Sequence, residues 1–281
     1  MLKYFALLRP HQWIKNLLIL FPPFFAGTII LPGTGLNTVV SLLVFSAAAS
    51  CSYIINDIKD IEADRGHKLK QLRSIANGSV SVHEALIVAL LLLCSSLAAS
   101  FLVSPLFWAY ILAYLFISIS YTLFFKHIAI VDIFFISAGF VVRVMAGGEA
   151  FDVPISDWLF LTVFLVSLFL ASGKRMGEMF ELGDKASDHR ASLAAYSRSF
   201  IEGSLWFSAS AALVTYSLYT IEQKNGLFFT VPLCSFGLLR YIYIVRKGNG
   251  DPTDVLLNDR QIMTVGLAWV LFIFFLVYVR Q

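Results

Sequence analysis

Charge is what this chain has least of. Only 14% of its 281 residues are Asp, Glu, Lys or Arg, while 58% are hydrophobic and the mean hydropathy is +0.79. Soluble domains carry about 25% charged residues, so that class is excluded and a polytopic membrane protein is expected. Cysteine is scarce as well. Cys51, Cys94 and Cys234 all lie in apolar segments, which argues against a disulfide framework or a zinc site. The five histidines show no close pairing of the metal-ligand kind. No Pro/Gly/Ser linker and no low-complexity tract divides the chain, so one membrane domain over residues 1–281 is expected.

Long apolar runs fill most of the length, and each is long enough to cross a bilayer as a helix. Nine spans are expected: 14–30, 38–55, 82–103, 106–125, 128–146, 158–171 (continuing as a helix to Met179), 204–221, 227–245 and 263–279. Pro22 and Pro23 interrupt the first of them. No small-residue cleavage site follows it, so no removable signal peptide is expected. The fold class is therefore all-α. Seventeen of the 21 Lys and Arg residues fall in connections on one side of this alternation. By the positive-inside rule that side is cytoplasmic, with the N-terminus inside and the C-terminus outside. The net charge of +3 is then a topology signal, and nucleic acid is not expected as a partner.

The few acidic residues are not scattered. Asn56-Asp57-Ile58-Lys59-Asp60-Ile61-Glu62-Ala63-Asp64 follows the second span directly. At about 100° per residue, Asn56, Asp57, Asp60 and Asp64 share one arc of a helix, while Lys59, Glu62 and Arg65 point elsewhere. Three carboxylates and an amide on one face repel unless a cation joins them. All-oxygen ligands suit a hard divalent ion, and Mg²⁺ commonly shares its shell with substrate phosphates.

A second polar cluster, Gly173-Lys174-Arg175-Met176-Gly177-Glu178, follows the sixth span and is cationic where the first is anionic. Lys174 and Arg175 are each spaced to pair with Glu178, and they also suit a phosphate, Arg as a planar fork and Lys as a point charge. Between the clusters lies Tyr121-Thr-Leu-Phe-Phe-Lys126-His127. Lys126 either snorkels as a helix-end anchor or reaches a bound diphosphate. Asp132 and Arg143 are ionisable residues inside a span, a rare placement that usually marks function. They share a face but lie about 16 Å apart along the axis, so they do not pair. Arg143 either serves the site or is structural, snorkelling outward or pairing with Glu149. Arg9 and Lys15 flank Trp13 just before the first span, as an interfacial belt or as phosphate contacts. Turn chemistry alone explains Gly250-Asp251-Pro252.

Asn56-Asp57-x-x-Asp60-x-x-x-Asp64, followed by Arg73 and by Tyr121 with Lys126, resembles the UbiA superfamily of intramembrane prenyltransferases. The likeness covers essentially the whole chain. It implies about nine transmembrane helices around a central cavity, with the Asp-rich motif binding a diphosphate through Mg²⁺ (Mn²⁺ as an alternative). Arg9-Pro10-x-Gln12-Trp13-x-Lys15-Asn16, Asp132 with Arg143-x-x-Ala146-Gly147-Gly148, and Gly173-Lys174-Arg175-x-x-Glu178 are similar to the polyprenyl-phosphate phosphoribosyltransferase branch. That branch implies transfer of a 5-phosphoribosyl group from phosphoribosyl diphosphate to a decaprenyl-like phosphate, with loss of pyrophosphate. The implied setting is a bacterial plasma membrane, with the site facing the cytoplasm and oligomerisation left open. The implied roles are metal binding for Asn56, Asp57, Asp60 and Asp64, and catalysis for Asp60, Asp64 and Lys126. Phosphate binding falls to Lys15, Arg73, Lys126, Lys174 and Arg175, with Arg9, Tyr121, Asp132, Arg143 and Glu178 in support. Two departures stand out. Gly-Lys-Arg replaces a second Asp-rich motif, and Arg73-Ser74 stands where the family usually has Arg-Pro. The alternative within the superfamily is an aromatic prenyltransferase.

Overall fold

The computed structural model describes residues 2–66, 69–182, 193, 195–223 and 225–280. Lys68, Lys185, Arg190 and Lys224, counted above for topology, lie outside the described residues. Among the described residues every regular element is helical. The chain opens with α1 (Leu2–Leu7), a 3₁₀ helix over Pro10–Leu20 and α2 (Phe21–Phe25). Next come α3 (Thr34–Lys59), α4 (Ile61–Arg65), α5 (Val82–Ser100), α6 (Phe107–Leu123), α7 (Val131–Phe151) and α8 (Asp157–Leu182). Then follow α9 (Arg198–Glu222), α10 (Val231–Val245), α11 (Pro252–Asn258) and α12 (Arg260–Phe274), the last continuing as a π turn over Phe275–Val279.

Six helices among the described residues are long and apolar enough to cross a bilayer: Thr34–Lys59, Val82–Ser100, Val131–Phe151, Asp157–Phe180, Leu227–Val245 and Arg260–Val279. The apolar α6 is shorter. Helix α9 is 25 residues long but carries Ser or Thr at 199, 204, 208, 210, 215, 217 and 220 and is not among the six. The first expected span is not one regular helix. Its first half is wound as 3₁₀, and α2 takes over at the Pro22-Pro23 pair, whose missing N–H groups cannot donate back to the preceding turn.

Helix starts follow capping chemistry. Ser81 and Glu84 form a reciprocal capping box at α5, and Ser197, Asp251 and Asp259 accept backbone N–H groups at α9, α11 and α12. Each satisfies donors that a helix end leaves open.

The chain forms two compact units whose segments interleave along the sequence. The first comprises residues 1–22, 29–126 and 142–153. Its core gathers Ile19, Phe45, Ala48, Ile54, Phe107, Ile111 and Ala146. Gly147 is required there, because a Cβ at that position would sit 2.1 Å from the Ile19 carbonyl oxygen. The second unit comprises residues 23–28, 127–141 and 154–281. Its core is built on Ile133, Phe169, Met176, Ile201, Leu205 and Val245. Residues Gly173 and Gly177 of α8 face close neighbours: an added Cβ would lie 2.4 Å from the Tyr241 ring and 2.4 Å from the Gly250 nitrogen.

Candidate functional site

The acidic cluster is built at the end of α3. The helix stops at Lys59, Asp60 adopts φ −101° and ψ 12°, and α4 resumes at Ile61. Hydrogen bonds from Asp60 N to Asn56 O (3.0 Å) and from Asp64 N to Asp60 O (2.8 Å) carry the helical register across this break. The angular separation expected for a continuous helix is therefore kept. Asp57 and Asp64 are each 3% exposed, whereas Glu62 turns outward and pairs with Arg65 at 3.1 Å.

Each carboxylate of the buried face is engaged by a cation of the same unit. Arg73 Nη1 donates to Asp57 Oδ1 at 3.1 Å and to Asp64 Oδ2 at 2.6 Å. Arg9 Nη2 donates to the same Asp57 oxygen, and Lys126 Nζ donates to Asp60 Oδ1. Asn56 Oδ1 accepts from Thr122 at 3.4 Å. Arg9 stands at φ 54°, a left-handed conformation that is uncommon for a residue with a side chain. Burial lowers the pKa of its guanidinium, opposed by the Asp57 charge. Lys126 is buried, so the snorkelling expectation is corrected: its ammonium turns inward to a carboxylate. Lys15 donates to Gln12, and Tyr121 is half-buried in the last turn of α6.

Among the described residues no group of three or more His, Cys, Asp or Glu side chains converges as a ready-made metal cage. Two carboxylates nonetheless meet at one point, the Nη1 nitrogen of Arg73. That point, the nearby Asp60 and the all-oxygen donor set fit a hard divalent ion better than a soft one.

Arg143 corrects a second expectation. It neither snorkels nor pairs with Glu149. It is 4% exposed, donates to Asn16 Oδ1 (3.0 Å) and Tyr114 OH (3.1 Å), and stacks over Tyr114 and Phe45. Six residues along a helix turn to a different face, and Glu149 accepts instead from Ser104 at 2.6 Å. The network pins Asn16, which also donates to Ser46 at 2.9 Å, and with it the 3₁₀ helix beyond Arg9.

The basic cluster lies in the second unit. Arg175 is 1% exposed. Its Nε donates to Asp132 (2.8 Å) and its Nη1 to Glu178 (2.6 Å). Tyr196 OH donates to the other Asp132 oxygen at 2.6 Å, and its pKa is raised by burial and by that hydrogen bond. The pair expected between Lys174 and Glu178 is replaced by one between Lys174 and Asp251, at 3.1 Å. Lys174 remains the accessible cation, with 38% of its side chain exposed. Asp251 and Tyr196 are the residues that spacing alone misses. Asp251 reads as a helix cap, and only the seating of Gly250 against Gly177 and of Tyr241 against Gly173 brings it to Lys174.

A profile of the UbiA prenyltransferase family matches residues 20–264. Decaprenyl-phosphate phosphoribosyltransferase of Mycobacterium tuberculosis is 35% identical over 272 residues, covering 94% of this chain and 90% of that one. The enzyme of the same name from Corynebacterium glutamicum is 34% identical, covering 97% of this chain and 86% of the relative. A UbiA homologue from Archaeoglobus fulgidus bound to DMAPP and Mg²⁺ superposes with a TM-score of 0.77 at 19% identity, covering 98% of this chain and 99% of that one.

Proposed function

The chain belongs to the UbiA prenyltransferase family and is an integral-membrane transferase, and from that premise we propose that it moves a 5-phosphoribosyl group from phosphoribosyl diphosphate to a polyprenyl phosphate, releasing pyrophosphate. The observation that carries this reading is the identity of 34–35%, over more than 90% of the chain, with enzymes named decaprenyl-phosphate phosphoribosyltransferase. The Gly173-Lys174-Arg175 sequence, where prenyl-transferring relatives carry a second acidic motif, points the same way. A basic cluster makes a poor second metal site and a good phosphate contact.

In this reading Asn56, Asp57, Asp60 and Asp64 hold Mg²⁺, or Mn²⁺ in its place. The ion, when bound, neutralises charge that builds on the leaving diphosphate. Lys126, buried beside Asp60, supplies preorganised positive charge for phosphate oxygens, and Arg73 supplies a second cation. Arg9 and Lys15 add to it, with Tyr121 in support. Lys174 offers an exposed point charge to a substrate phosphate. Arg175, whose Nε and Nη1 donate to the Asp132 and Glu178 carboxylates, acts through these neighbours. Asp132, Arg143 and Glu178 are supporting residues. The acceptor phosphate is already an anion and requires no dedicated base. The site faces the cytoplasm of a bacterial plasma membrane, and the lipid tail lies in the bilayer.

The test is mass spectrometry of lipids made by the purified protein from ribose-labelled donor and polyprenyl phosphate. The expected result is a lipid heavier by one phosphoribosyl group, with pyrophosphate released only when both substrates are present. The alternative is an aromatic prenyltransferase. Prenyl transfer to an aromatic acid, with no ribose-labelled lipid, would overturn the assignment in its favour.

A further inference from the structure

The carboxylates proposed to hold the metal are already neutralised by the protein itself. Three acids, Asp57, Asp60 and Asp64, face three cations, Arg9, Arg73 and Lys126. We infer that Arg9 and Arg73 are exchangeable counter-ions: they occupy the carboxylates while the metal is absent and turn to the diphosphate oxygens when the metal arrives. This rests on the proposal that these carboxylates are the metal site.

The manner of attachment supports exchange. Arginine grips a carboxylate most firmly with two parallel N–H groups. Arg73 instead reaches both Asp57 and Asp64 through the single nitrogen Nη1, and Arg9 reaches Asp57 through Nη2. Both side chains lie at the edge of the cluster, 25% and 15% exposed, whereas the side chains of Asp57 and Asp64 are only 4% exposed. Arg175 shows the contrasting arrangement. Its side chain is 1% exposed and lies between the two acids Asp132 and Glu178, as a fixed structural cation would. Arg9 is also held at a left-handed backbone angle, at the end of a segment tied down by Asn16 and Arg143.

A divalent ion and a guanidinium compete for the same carboxylate oxygens and repel each other at contact distance. Metal alone therefore meets resident positive charge, and a diphosphate alone meets cations already spoken for. Supplied together, each removes the obstacle to the other. The guanidiniums leave the carboxylates and find new acceptors in the diphosphate oxygens. Binding of metal and diphosphate is then mutually promoting, with the same coupling in both directions. The site would stay closed to free divalent cations and free phosphates and would accept the metal diphosphate.

The test uses the full chain, purified in detergent and stripped of metal. Mn²⁺ alone is titrated by electron paramagnetic resonance, and labelled pyrophosphate is titrated at saturating Mn²⁺. Arg73→Ala is expected to tighten Mn²⁺ alone by about tenfold and to weaken pyrophosphate by about ten- to hundredfold, the size of one charge-assisted hydrogen bond. Arg73→Lys keeps the charge and should leave Mn²⁺ affinity near wild type. If Arg73 merely props the carboxylates in place, Arg73→Ala weakens both ligands, and the exchange is wrong. Should Arg73→Ala fail to give monodisperse protein, Arg9→Gln is read in the same way. Asp60→Asn and Asp64→Asn separate the two layers of the proposal. If neither weakens Mn²⁺, these carboxylates are not the metal site. If they do and Arg73→Ala fails to tighten it, only the exchange falls.

Discussion

Asp60 and Glu62 lie two residues apart and differ in everything that bears on chemistry. Asp60 faces Lys126, and Glu62 faces outward with 87% of its side chain exposed. Asp60→Asn or Asp64→Asn is expected to abolish turnover while leaving the protein folded, and Glu62→Gln should change it less than about twofold, as exposed ion pairs contribute little. Equal loss in Glu62→Gln and Asp60→Asn would break the link between helical face and function. Lys174 and Arg175 should part company in a similar way. Arg175→Ala strands the buried Asp132 and the partner Glu178, so it should destabilise the protein by roughly 3–5 kcal/mol, the cost of breaking a buried ion pair, seen as a lower thermal midpoint in detergent. Lys174→Ala should leave that midpoint in place and weaken the donor by about tenfold. A lowered midpoint in Lys174→Ala together with an unchanged one in Arg175→Ala would reverse their assignment.

At the scale of elements, two close approaches hold chemistry in position. The carbonyl of Ile19 touches α7 at Gly147, and residue 250 touches α8 at Gly177. The obstacle in each case is backbone, which does not swing aside as a long side chain would. Gly147→Ala and Gly177→Ala are each expected to cost about 1–3 kcal/mol or more by overpacking, measurable as earlier thermal aggregation. Gly35→Ala, where nothing lies within 4 Å of the added carbon, is the control. The break between α3 and α4 was not legible in the sequence. The residues around Asp60 have good helical spacing, and only the structure shows the helix pausing there while its hydrogen-bond register continues.

For the whole molecule, the proposed orientation makes residues 31–37 extracytoplasmic and residues 246–250 cytoplasmic. Single cysteines placed in each segment should label from opposite sides of sealed vesicles, and labelling from one side would refute the topology. Its basis in the sequence is the skewed Lys and Arg distribution. What the sequence determined by itself is what short-range periodicity and composition set: a helical membrane protein, an acidic face at the end of α3 and a basic turn near the end of α8, while its motifs carried a resemblance to one family. Those properties depend on neighbours within a turn or two of helix. Only the tertiary structure decided which cation meets which carboxylate. Arg9 pairs with Asp57 across 48 residues, Lys126 with Asp60 across 66, Arg175 with Asp132 across 43, and Arg143 meets Asn16 across 127. Such pairings follow from how helices pack, and packing is settled by the shapes of many side chains at once, so no local spacing encodes it.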